Sequence, residues 1–138
     1  MQLHASCCAR NGRGVLIAGP PGSGKSSLLL RLLGHGFRLV ADDRVVVNGL
    51  EACAPPALAG ILEVRGVGLV RVAFMRTVRL TLVIQLDKEE RLPEPGTCRR
   101  TGLPMVHLRP HCPLSPHRIS LALRIAAGCQ TQVFGAFA

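Results

Sequence analysis

Residues Gly19-Pro20-Pro21-Gly22-Ser23-Gly24-Lys25-Ser26 have the spacing Gly-x-x-x-x-Gly-Lys-Ser. In this pattern glycines let the main chain curl close to phosphate oxygens and turn N–H groups inward. A helix that starts there adds the positive end of its dipole. Lys25 places a charge on the β and γ phosphates, and the Ser26 hydroxyl is a ligand for Mg²⁺. The plain alternative is a Gly-Pro-rich turn between a strand and a helix. The complete spacing, with an apolar run before it and helix formers after it, argues against that alternative. Of the 17 basic residues only Lys25 and Lys88 are lysines, and one of them stands here.

Two further clusters follow. Asp42-Asp43 closes an apolar run, and Asp87 is the only other aspartate. Phosphate-binding enzymes place an acid at a strand end beside this loop to hold the metal, and a second carboxylate there can take a proton from a hydroxyl. The ordinary reading is a turn, where aspartate is common. Leu62-Glu63-Val64-Arg65-Gly66-Val67-Gly68 puts an acid and a base at a strand end before two glycines that permit close approach of a ligand. Taken alone, this is equally a solvated ion pair ahead of a turn.

These residues need elements to hold them. Residues 2–9 and Val15 to Ala18 read as paired strands around Asn11-Gly12, a hairpin signal. A helix runs from Ser27 to Leu33 and stops at Gly34. Strands are predicted for Phe37 to Ala41, Val45 to Val47, a stretch from Leu50 to the Pro55-Pro56 pair, Ile61 to Val64, Leu69 to Val72, Val78 to Leu86 and Leu103 to Leu108. Residues 87–102 form a charged loop. A helix follows from His117 to Ala127, and 128–138 are weakly specified. The expectation is one domain over 1–138.

Composition narrows the function. Nearly half of the 138 residues are apolar (48%), enough for a folded core. A net charge of +9 favours anionic partners. The arginines form no run longer than two and there is no Trp or Tyr, which speaks against nucleic acid. The six cysteines make no Cys-x-x-Cys pair and read as inert thiols of a reducing cytosol. A zinc site at His107, His111, Cys112 and His117 is disfavoured because Pro110 and Pro113 interrupt the helix that would align them. Apolar runs fall short of the roughly 20 residues of a membrane span, and no targeting segment is evident.

In this order the motifs resemble the catalytic domain of the HPr kinase/phosphorylase family. The matching segments are Leu3-His4-Ala5, the Gly19–Ser26 loop, Phe37 to Val45, Ala54-Pro55 and Gly60 to Val70, the family's signature. Glu90-Arg91-Leu92-Pro93 and the final helix look like the short alphaproteobacterial form that lacks the N-terminal domain. The resemblance covers about residues 2–127.

It implies an α/β P-loop domain of the HPr kinase and PEP carboxykinase-like type, a mixed sheet with a few flanking helices. It implies ATP- and Mg²⁺-dependent phosphorylation of a serine of HPr or an HPr-like phosphocarrier, with possible phosphorolysis of the product. That activity regulates the phosphotransferase system in the cytoplasm. The family form is a hexamer, so self-association is expected. Asp42 matches the base, and His4 the residue that hydrogen-bonds to it. Lys25 contacts phosphates, Ser26 and Glu63 match metal positions, Asp43 helps hold the metal, and Arg91 matches a catalytic arginine. The chain departs from the family at Pro20-Pro21, where Asp-Ser is common, at Ser27 for Glu, and after Val106, where only Leu108-Arg109-Pro110 resembles the segment linked to dephosphorylation. Kinase activity is therefore expected to outlast phosphorylase activity. A rival reading is a nucleotide-dependent binding module with little turnover. A small-molecule kinase would need a lid beyond 87–102.

Overall fold

The computed structural model describes residues 1–137. Ten strands and two helices succeed one another: β1 (Gln2–Leu3), β2 (Ala5–Arg10), β3 (Arg13–Ala18), α1 (Lys25–Leu33), β4 (Arg38–Ala41), β5 (Val45–Asn48), β6 (Glu51–Cys53), β7 (Ile61–Val64), β8 (Gly68–Arg71), β9 (Val78–Leu86), β10 (Met105–Leu108) and α2 (Ser115–Ala126). The architecture is α/β with a mixed sheet, as the sequence predicts.

The sheet is built on β3 and β9, which run parallel with Val15 opposite Leu82 and Ala18 opposite Gln85. β3 is buried on both faces, which its unbroken Val15-Leu16-Ile17 run requires. β2 folds back on β3 through Asn11-Gly12, whose φ angles of 53° and 74° fit the two-residue turn that continues strand twist. β4 lies antiparallel to β2, with a bulge between Cys7 and Cys8. On the other side, β9 divides its edge: Val78 and Arg79 pair antiparallel with β6, while Val83 to Leu86 pair parallel with β10. β5 and β1 extend the sheet beyond β6, and β7 and β8 form a separate hairpin.

Side chains alternate between two cores. Val15, Ile17, Leu82 and Ile84 meet Leu28, Leu29 and Leu32 of α1 and Ile119 and Leu123 of α2. Leu16, Leu80 and Val83 point the other way, onto Val40, Val45 and Val47. The bulged β2 contributes to both, Cys8 to the helical side and Cys7 to the other, each fully buried.

Three expectations change. The strand predicted for 2–9 is interrupted at His4, because β1 leaves β2 to pair with β5. The strand expected from Leu103 starts at Met105, with Pro104 bridged to Thr97 instead. α2 starts at Ser115 rather than His117, since a proline in the first helical turn loses no hydrogen bond and Pro116 is accommodated there. Among the described residues no helix is long and apolar enough to cross a membrane.

Candidate functional site

The site lies beyond the carboxyl ends of the parallel strands β3 and β9, where open α/β sheets bind ligands. β3 ends at Ala18, the loop Gly19–Gly24 turns, and α1 begins at Lys25. Gly19 is tightly enclosed: a Cβ there would sit 2.6 Å from the Ser23 Oγ and 3.2 Å from the Leu86 Cβ, so the Ser23 hydroxyl would have to move. Gly24 precedes α1 at φ 97°, a conformation that side chains resist. The Ser23 N–H donates to the Pro20 carbonyl at 3.1 Å. The Ser23 hydroxyl is buried without a hydrogen-bond partner.

Lys25 is buried, and its Nζ donates to the Gly19 and Pro20 carbonyls at 2.8 and 3.0 Å. Burial holds its ammonium pKa below the ordinary lysine value, opposed by the charges of Asp43 and Asp42. The cation is thus stored against the loop's own carbonyls, next to where an anion would sit.

The two aspartates have different surroundings. Asp42 is buried, 7% exposed. Its Oδ1 accepts from the Ser6 hydroxyl at 2.9 Å and the Ser26 hydroxyl at 2.8 Å, and its Oδ2 from the Glu63 N–H at 3.1 Å. Asp43 is exposed at φ 68°, on a three-residue turn in which the Arg44 N–H donates to the Asp42 carbonyl at 2.8 Å. His4 Nε2 donates to Asp43 Oδ1 at 2.6 Å. His4 therefore supports Asp43, not Asp42 as the resemblance implies. The reason is geometric: the turn after β4 tucks the first carboxylate under Ser26 and swings the second out toward the break between β1 and β2.

His4, Pro21, Gly22, Gly24, Lys25, Ser26, Asp43 and Glu63 border one cavity of about 410 Å³. Asp42, Gly19 and Pro20 support it from beneath through the hydrogen bonds above. Arg91 is not brought there. It lines a separate groove of about 620 Å³ with Leu121 and Phe134, because the segment after β9 runs along β10 and α2 and is tied down when Glu89 accepts from the Arg109 N–H and from Arg118 Nη1, both at 2.9 Å. Sequence reasoning missed Ser6, a fully buried hydroxyl in an apolar strand. A lone serine at an inward position of β2 was the signal. It also missed Ser27 and His111, which border the same cavity. His107 pairs instead with Asp87 at 2.9 Å, and His117 packs edge-on against His35.

A family model described as the HPr serine kinase C-terminal domain matches residues 1–95. The chain belongs to the HPr kinase family. The match includes the phosphate-binding loop, both aspartates, the β7–β8 hairpin and Arg91. An HPr kinase/phosphorylase of Bordetella petrii is 44% identical over 100 residues, 59% of this chain and 32% of the relative. One from Burkholderia cenocepacia is 39% identical over 121 residues, 75% of this chain and 38% of the relative. The chain thus spans about a third of the length of the curated relatives it matches. The HPr(Ser) kinase/phosphatase structure from Coxiella burnetii superposes with a TM-score of 0.76 at 25% identity, covering 92% of this chain and 90% of that one.

Proposed function

We propose that this chain transfers the γ-phosphoryl group of ATP to a serine hydroxyl of HPr or an HPr-like phosphocarrier, and so regulates the phosphotransferase system. The observation that carries the reading is a pair of carboxylates at one cavity, Asp43 on its border and Asp42 beneath it. Asp42 is buried and bonded to the Ser26 hydroxyl, while Asp43 is exposed and bonded to His4.

The donor set fits a nucleotide with Mg²⁺. A glycine cradle, a stored lysine, and a serine hydroxyl with two carboxylates are the groups that bind a phosphate chain and a hard cation. Ser26, Asp42 and Glu63 would hold the metal, which when bound offsets charge on the phosphate oxygens. Lys25 exchanges its carbonyl partners for phosphate oxygens. We assign the proton acceptor to Asp43 and the metal side to Asp42, the reverse of the division that the family resemblance implies. Both Asp42 oxygens are already engaged, whereas Asp43 faces solvent. Its acceptor state is oriented by the His4 imidazole. His4 also borders a second cavity of about 460 Å³ floored by Leu3, Ala5 and Leu16 and rimmed by Arg99 and Arg100, from which an acceptor serine can approach.

The test is phosphate transfer from labelled ATP to purified HPr, compared with Lys25→Ala. The parent is expected to form phosphoserine, and the variant to lose about 10²- to 10³-fold, the scale of a lost charge-stabilising donor. Equal transfer by both would sink the assignment. The second reading, a nucleotide-dependent binding module, is favoured by the two prolines in the phosphate loop, which lack N–H donors. Nucleotide binding without any phosphoserine would select it.

A further inference from the structure

The loop between β10 and α2 is fastened to α1. Arg31 Nη1 donates to the Cys112 carbonyl at 2.9 Å, and Nη2 to the Pro110 carbonyl. Ser115, fully buried, closes the loop from its other end: its hydroxyl donates to the Arg109 carbonyl at 3.1 Å and its N–H to the Cys112 carbonyl at 3.0 Å. Pro110 and Pro113 fix two φ angles of this short segment. The result is a stiff strap pressed against the phosphate-binding loop. A Cβ on Gly24 would lie 3.1 Å from the Pro110 Cβ, 3.3 Å from the His111 Cε1 and 3.8 Å from its Nε2. His111 borders the same cavity as Lys25, Ser26 and Ser27.

The phosphate-binding loop is short of donors on its own. Pro20 and Pro21 have no N–H, and the Ser23 N–H is spent on the Pro20 carbonyl. The strap brings an imidazole to the start of α1, where the phosphate chain would pass on the reading above. We propose that His111 is a phosphate ligand of the bound nucleotide, and that Arg31 is the positioning residue that delivers it. The inference rests on the nucleotide reading and adds to it a donor from outside the sequence motif. An imidazole N–H to a phosphate oxygen is a charge-assisted hydrogen bond, stronger than a neutral one.

The experiment measures equilibrium binding of ATP with Mg²⁺, and of inorganic pyrophosphate with Mg²⁺, beside a thermal melt of each protein. The set is the parent, Lys25→Ala, His111→Ala, His111→Phe, His111→Gln, Arg31→Gln and the double variant Arg31→Gln/His111→Phe. His111→Phe keeps a planar ring and removes the donor, so it decides the matter even where the alanine variant is less stable. His111→Ala and His111→Phe are expected to weaken both ligands about tenfold, and His111→Gln, which retains an N–H donor, to recover part of the loss. Arg31→Gln should weaken binding, and the double variant should bind no worse than His111→Phe, since residues acting as one unit are not additive. Parental affinity in folded His111→Phe, with Lys25→Ala impaired, overturns the role of His111 and leaves the nucleotide reading intact. Parental affinity in both Lys25→Ala and His111→Phe, or no binding by the parent, removes the nucleotide reading and this inference together. Additive losses in the double variant overturn the role given to Arg31.

Discussion

A carboxylate whose two oxygens already accept three hydrogen bonds is a poor proton acceptor and a good anchor, and Asp42 is in that position. Replacing it with asparagine removes the charge and turns one acceptor into a donor that faces the Ser6 and Ser26 hydroxyls. Asp42→Asn is expected to weaken Mg²⁺-dependent ATP binding by about 10- to 100-fold, the usual scale for groups that set up a metal. Asp43→Asn should keep that binding and lose transfer to HPr by about 10²- to 10⁴-fold, the worth of general base catalysis. Titration calorimetry and a phosphoserine assay on the same preparations separate the two, and an opposite pattern would restore the family-derived division of roles. The residue types of this site were legible in the sequence, since Lys25, Ser26 and the acid pair stand in a recognisable order. Which aspartate meets His4 was not. Neighbouring residues at a strand end point to different sides, and the φ of 68° at Asp43 that decides the matter is set by a turn that any short polar segment can decline.

Among the elements, the loop from Gly19 to Gly24 has the most direct consequence for chemistry. Phosphorolysis needs a free inorganic phosphate held close to the acceptor, and main-chain N–H groups are its natural donors. Two positions of this loop lack one, and the Ser23 N–H closes a turn on Pro20. Forward transfer is therefore expected to exceed phosphorolysis, measured as HPr with ATP against phosphoserine-HPr with phosphate. Restoring Asp and Ser by Pro20→Asp and Pro21→Ser should raise the reverse rate more than the forward one. Efficient phosphorolysis by the unaltered chain would remove the argument. At this scale the strand-loop-helix unit and the Asn11-Gly12 hairpin were readable, because local spacing and turn chemistry fix them. The break at His4 and the start of α2 at Ser115 were not. The first depends on a distant partner, β5, and the second on a buried serine whose role as a loop tie appears only in three dimensions.

At the scale of the molecule, β9 organises the sheet. It enters from residue 78 yet lies beside β3, and it shares its other edge between β6 and β10. No local pattern announces that insertion, so the strand order was beyond the sequence although nearly every strand was visible in it. The same non-local arrangement explains the place of Arg91, which follows β10 and α2 away from the phosphate-binding loop. The alternation along β2 that sends Cys7 and Cys8 to opposite cores has a different use: it makes the protein its own two-channel stopwatch. Burial raises the pKa of both thiols, with Cys8 adding to the effect on Cys7, so neither forms a thiolate in the closed sheet. Cys53, Cys98 and Cys112 are partly exposed and Cys129 is exposed, so an alkylating reagent is expected to reach all four without unfolding. In mass spectra of pulse-alkylated protein, four adducts are expected quickly, and the last two only as fast as the cores open. Equal rates at Cys7 and Cys8 would mean that the two faces of the sheet come apart as one cooperative unit, which β9, packed into both, requires. A lead at either cysteine would instead time the separate loosening of one face.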